Sequence, residues 1–154
     1  MSKKILRVYL DNCCYNRPYD DQSQIRISLE AQAKIFVQTL VKEKRLELAT
    51  SYVLLFENSK NPHINRQQAI RQFIKQNTSF FVDTNQVDKV IELAREIMRT
   101  GVKEVDASHV ACAILAECDY FLTTDDRLLK FRSDKIIVTD PVTFVKTWEA
   151  TDNE

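Results

Sequence analysis

Glycine is almost absent from this chain: Gly101 is the single example among 154 residues, and only three prolines accompany it. Flexible linkers and low-complexity tracts need such residues in number, so their scarcity excludes both and implies short connections and abundant helix. An excess of one charge is missing too. Lys and Arg total 22, Asp and Glu total 22, and the formal net charge is zero. Proteins that hold duplex DNA by overall charge carry a basic excess, because counterion release drives that binding. Any nucleic-acid contact here must therefore come from a local patch. No apolar run approaches the ~20 residues of a membrane-spanning helix. The apolar stretch after the basic start breaks at Asp11, so it does not read as a signal peptide, and the cytoplasm is the expected location.

Zinc-site and disulfide patterns are also lacking. The four cysteines are Cys13, Cys14, Cys112 and Cys118, with no C-x-x-C pair, and the two histidines are His63 and His109. A structural zinc site needs four nitrogen or sulfur ligands at close spacing, which this arrangement does not supply. A chain with a good core and no export signal has little need of disulfides. The thiols read as reduced, with Cys112 and Cys118 packing near one helix.

What the chain has is enough apolar material, 44% of its residues, for one compact domain over 1–154 with its core at about 5–149. Order is expected to fade at 1–4 and 151–154. Short buried strands are predicted at 5–10, 46–50, 80–82, 120–123 and 136–138. Residues 13–21 read as a loop. Apolar residues at helical spacing predict helices at 24–44, 52–60, 64–76, 87–98, 105–117, 125–131 and 141–148. Gly101 sits just past the predicted helix at 87–98, as a helix C-terminus prefers. Strands alternating with helices imply an α/β fold with a parallel sheet covered on both faces.

In such folds ligands bind outside the carboxyl ends of the strands. Asp11 directly follows the first strand and Asp125 follows the strand at 120–123, so both belong on that edge. Asp106 opens the helix at 105–117, and Glu57 lies in the helix after the second strand. Clustered carboxylates resist joint ionisation, and divalent cations relieve that repulsion. An Asp/Glu site without Cys or His ligands suits Mg²⁺ or Mn²⁺ better than zinc. Two such ions about 3.5–4 Å apart can activate water and stabilise the leaving oxygen of a phosphodiester. Each acid also has a plainer use. Asp106 and Asp125 stand where helix N-caps belong, worth roughly 1 kcal/mol each, and a lone Glu57 on a helix is usually solvated. Asp11 has less structural purpose, since an acid ending a buried strand stabilises little.

Four segments together resemble the PIN-domain family. They are Tyr9-Leu10-Asp11-Asn12, Glu57 after the second strand, Asp106-Ala107-Ser108-His109-Val110-Ala111-Cys112-Ala113, and Tyr120-Phe121-Leu122-Thr123-Thr124-Asp125. The resemblance covers nearly the whole chain. It implies a Rossmann-like α/β/α sandwich with a central, mostly parallel sheet and a Mg²⁺- or Mn²⁺-dependent ribonuclease site. Asp11, Glu57, Asp106 and Asp125 would be its catalytic and metal-binding acids, with Thr124 as the supporting small polar residue. Asn12 stands where Thr or Ser commonly follows the first acid, and its amide can still hydrogen-bond a phosphate. Small prokaryotic members of the family imply single-stranded RNA as substrate, an antitoxin protein as partner, and a homodimer.

Around this core, the stretch 60–75 holds Lys60, His63, Arg66, Arg71 and Lys75 and no acid, so Lys60 and Arg66 are candidates for the RNA backbone. Arg17 and Arg127 are further candidates, and Tyr15 and Tyr19 could stack on bases. His109, one turn after Asp106, reads as a packed, hydrogen-bonded residue. Asp126 reads as a first-turn acid, Asp119 as structural, and Asp140 as a helix cap. Two competing functions remain. One is a non-catalytic nucleic-acid-binding module of the same fold. The other is a phosphatase of the haloacid dehalogenase type, which needs a second Asp where Cys13 stands.

Overall fold

Period-two alternation on the central strand sets the architecture. The computed structural model describes residues 4–152. In β1 (Arg7–Leu10), Val8 and Leu10 join one hydrophobic cluster and Tyr9 the other, all fully buried. β2 (Glu47–Ser51) divides in the same way, with Leu48 on one face and Ala49 on the other, and β4 (Tyr120–Leu122) places Leu122 and Phe121 oppositely. With β3 (Phe80–Val82) and β5 (Ile137–Thr139) these strands form one sheet in the order β3-β2-β1-β4-β5, and every pairing is parallel.

Seven helices among the described residues flank the sheet, giving an α/β sandwich like the PIN fold. α5 (Val87–Met98) and α6 (Glu104–Leu115) cover the Tyr9 face, where Val90, Ala94 and Ile97 pack against the Ala-rich run of α6. α1 (Asn12–Asn16), α2 (Ile25–Lys42), α4 (Ile64–Asn77) and α7 (Pro141–Asp152) cover the Leu10 face. α3 (Tyr52–Ser59) lies between, with Leu54 in one cluster and Tyr52 and Val53 against the other. The predicted strands and helices are all found apart from two segments. Residues 13–21 are not a loop: α1 is followed by a 3-10 turn at Arg17–Tyr19, because Asp11 caps the segment and Pro18 stands near the start of the turn. The helix expected at 125–131 shrinks to a 3-10 turn, Leu128–Lys130. The fading of order expected at 1–4 and 151–154 falls largely outside the described residues, although α7 continues to Asp152.

This strand order reverses direction at β1: the chain moves outward through β2 and β3, then returns to the other side of β1 for β4 and β5. The crevice between the carboxyl ends of β1 and β4 is therefore the topological switch point, where open α/β sheets bind ligands.

Two helices close without glycine. Lys44 and Glu117 adopt left-handed backbone angles, φ 62° and 57°. Each ends its helix with the paired bonds of a Schellman motif: Lys44 N–H to Val41 O and Arg45 N–H to Leu40 O after α2, Glu117 N–H to Ile114 O and Cys118 N–H to Ala113 O after α6. The left-handed state costs a non-glycine residue about 1–2 kcal/mol, while glycine adds about 0.4–1 kcal/mol of unfolded-chain entropy. Lys44→Gly is therefore expected to stabilise the protein by about 0.5 kcal/mol. Denaturant titration checks this, and a lower midpoint would contradict it.

Candidate metal centre

Asp11 is fixed more firmly than any other acid of the site. It is 5% exposed, and its backbone N–H donates to Leu122 O at 2.9 Å, which ties the end of β1 to the end of β4. Its Oδ1 accepts the Asn12 N–H at 2.7 Å and so caps α1. Its Oδ2 accepts the Thr123 hydroxyl at 2.9 Å and the Cys13 thiol at 3.3 Å. The supporting hydroxyl is thus that of Thr123. Thr124, the residue expected in that role, is buried with its Oγ1 unpaired, and its backbone carbonyl accepts from Arg26.

Glu57 reaches the site from α3, and His109 reaches it from α6. His109 is fully buried, and its Nε2 lies 2.8 Å from Glu57 Oε1. Behind it, Nδ1 is 2.7 Å from the Tyr9 hydroxyl, which is 2.7 Å from Ser51 Oγ. Ser51 in turn accepts the Leu54 N–H and caps α3, the helix that carries Glu57. Burial raises the Tyr9 hydroxyl well above its ordinary pKa, so it stays protonated. Oxygen or nitrogen atoms of Asp11, Glu57 and His109 all lie within 4.8 Å of one another. The sequence treats His109 as a packing residue. Its signal was available, since positions 106 and 109 share a helix face, but nothing in the sequence orients the ring.

Asp106 lies in the first turn of α6, not at its cap: Lys103 is the N-cap residue and makes no side-chain cap bond. Its carboxyl is pushed up to about 6, first by burial and then by the negative charges of Asp11 and Asp125, with Glu57 adding a smaller push and His109 opposing. Asp106 therefore feels the charges of the other three acids expected from the sequence. Asp125 follows β4, and its Oδ1 accepts the Arg127 N–H at 2.8 Å, so it also caps a turn. Asp106 and Asp125 line a cleft of about 420 Å³ whose other lining residues include Lys103, Arg127, Lys130 and Arg132.

The remaining candidates divide clearly. Asn12 starts α1 and accepts from Asn16. Arg17 is engaged by Asp20 at 3.0 Å and Glu30 at 3.3 Å, which holds it in the α2 side of the fold. Lys60 lies over the exposed Phe56 ring at 4.4 Å, and Arg66 over Tyr19 at 5.1 Å. Arg71 and Lys75 line a separate groove with Thr50, Leu55 and Phe81 and none of the four acids. Tyr15 is fully buried, which removes it as a stacking surface. Asp126 does not serve α-helix dipoles as expected but pairs with Arg26 at 2.6 Å. Asp119 receives Lys4 and the Arg7 N–H at the opposite end of β4, and Asp140 caps α7 through the Thr143 N–H.

The donor set fits a divalent cation. Asp11, Glu57 and His109 bring ligand atoms within 4.8 Å of one another, Asp106 carries the repulsion of the neighbouring acids, and a doubly charged ion would offset it.

No family model matches the sequence, and no curated protein matches it at a significant level. Solved structures do match. One is the crystal structure of VapBC2 from Rickettsia felis bound to a DNA fragment from their promoter, with a TM-score of 0.54 at 13% identity, covering 88% of this chain and 98% of that chain. At that identity the likeness concerns the fold. No helix among the described residues is long and apolar enough to cross a membrane.

Asp106 generates a pH test. Its carboxyl titrates near the ordinary value, about 4, in the unfolded chain, and at about 6 in the fold. The folded state holds the extra proton between those values, so this group's contribution to stability falls as pH rises through them. Asp106→Asn removes the burdened charge. Its Tm relative to the parent is expected to rise between about pH 4 and pH 6 and then level off. A difference that is constant across this range would contradict the coupling.

Proposed function

We propose that this chain is a divalent-metal-dependent nuclease that hydrolyses phosphodiester bonds of single-stranded RNA. The observation that carries the reading is the approach of Asp11 and Glu57 at the carboxyl ends of the strands, with Asp106 near enough to feel the charges of both and of Asp125. These residues would hold Mg²⁺ or Mn²⁺. Bound there, such an ion supplies Lewis-acid activation of water and of the phosphodiester. The chain's own residues do the rest. Thr123 and the Asn12 N–H fix both Asp11 oxygens, and His109 fixes Glu57. Lys103, Arg127, Lys130 and Arg132 bring positive charge to the cleft that Asp106 and Asp125 line, which suits a phosphate backbone despite the zero net charge.

Single strands are favoured because unpaired bases can stack on exposed aromatic rings. Phe56 adjoins Glu57 in sequence and is 62% exposed, with the Lys60 ammonium over its ring. The resemblance to small PIN-domain proteins, together with the fold shared with a chain of the VapBC2 structure, supports a toxin restrained by an antitoxin protein and active as a homodimer.

Asp11→Asn is expected to abolish Mg²⁺- or Mn²⁺-dependent cleavage of single-stranded RNA, and EDTA to stop the parent protein. Thr123→Ala, which leaves the ligands in place and frees Asp11, should lower activity roughly 10–100-fold. Cleavage that survives both Asp11→Asn and EDTA would refute the mechanism. RNA binding without turnover in saturating Mn²⁺ would instead identify a binding module.

A further inference from the structure

In the acid-only description His109 does no more than position Glu57. It is fully buried, its Nε2 faces the acids, and its Nδ1 is held from behind by Tyr9. Imidazoles that ligate metals are oriented in this way, by a hydrogen bond at the nitrogen opposite the ion. Ligand atoms on one ion lie about 3–4 Å apart when each bond is about 2.1 Å. The corresponding atoms of Asp11, Glu57 and His109 already lie within 4.8 Å of one another, so sub-ångström side-chain adjustments complete the set.

The hydrogen bonds behind the ring accept either role. With Nε2–H donating to Glu57, Nδ1 accepts the Tyr9 hydroxyl and Tyr9 accepts the Ser51 hydroxyl. With Nε2 turned over to a cation, the ring proton resides on Nδ1 and donates to Tyr9, whose hydroxyl then donates to Ser51. Tyr9 and Ser51 only rotate their O–H bonds, and each keeps its proton. The Ser51 hydroxyl then turns from Tyr9 towards Cys112, the other side chain that it hydrogen-bonds.

Resting on the nuclease reading above, we infer that His109 Nε2 is a direct metal ligand, which makes a first-row transition ion such as Mn²⁺ preferred over Mg²⁺. Mn²⁺ binds nitrogen the least strongly of the first-row divalent ions but accepts an imidazole more readily than Mg²⁺, which is held by hard oxygen donors. The expected selectivity is about 10-fold or more for Mn²⁺ over Mg²⁺, equivalent to about 1.4 kcal/mol.

Pulsed EPR of the intact protein with Mn²⁺ is the direct test, and it needs no variant. Nitrogen modulation from an imidazole ligand is expected. His109→Gln places an amide N–H where Nε2 stood, able to keep the Glu57 bond while offering no imidazole. It should lose the modulation, and calorimetric competition should show its Mn²⁺-over-Mg²⁺ preference reduced about 10-fold. Mn²⁺ bound by the parent protein without nitrogen modulation would overturn the inference and leave the nuclease reading standing, with His109 only positioning Glu57. Absence of any divalent binding would overturn both.

Discussion

A carboxylate buried at the end of the central strand is the constraint on which the rest of the site depends. Removing an ionised carboxylate from water costs several kcal/mol unless donors replace the lost hydration. Asp11 recovers them from a backbone N–H, a hydroxyl and a thiol on two segments. The hydroxyl, from Thr123, comes within reach only where β1 and β4 are adjacent and in register, Leu10 beside Leu122. The acid is therefore both a product of the topology and a brace for it. The same residue caps α1, which is why the segment following it turns at once into helix and does not wander as a loop.

A second layer of order supports the first. Ser51 at the end of β2 caps α3, Tyr9 from the middle of β1 bridges Ser51 to His109, and His109 holds Glu57. Strands β1 and β2 and helices α3 and α6 are thus linked through Tyr9, Ser51 and His109, all fully buried. On the opposite face α2 buries both Glu30 and Lys34. Glu30 is met by Arg17 and Arg26, while Lys34 rests over the rings of Tyr15 and Phe73, and burial lowers its pKa to about 8. Arg17 is recruited into this framework through its ion pairs with Asp20 and Glu30.

The fold was legible in the sequence because its two periodicities are strong: alternating burial in β1 and β2, and the Val90, Ala94, Ile97 stripe of α5. The edge on which Asp11 and Asp125 would meet followed from parallel strands alone. Details that depend on side-chain direction were not legible. Adjacent threonines at 123 and 124 differ by half a strand period, so choosing between them requires knowing where the strand ends, and β4 ends at Leu122. The His109 ring and the basic lining of the cleft depend on how α6 and residues 127–132 sit against β4, which no local pattern encodes. The short 3-10 turn at Leu128–Lys130 was read as a helix because a few apolar residues cannot separate the two.

The Asp11–Thr123 bond joins residues 112 positions apart. A chain emerging from the ribosome exposes Asp11 well before Thr123. Until β4 docks beside β1, the carboxyl edge lacks both the hydroxyl that orients Asp11 and the segment that carries Asp125. Pairings of this sequence separation are slow to form, because loop-closure entropy must be met first. The order of strands in the sheet thus acts as a timer. Whatever chemistry the crevice performs waits until the segment that carries Thr123 and Asp125 has been released to fold.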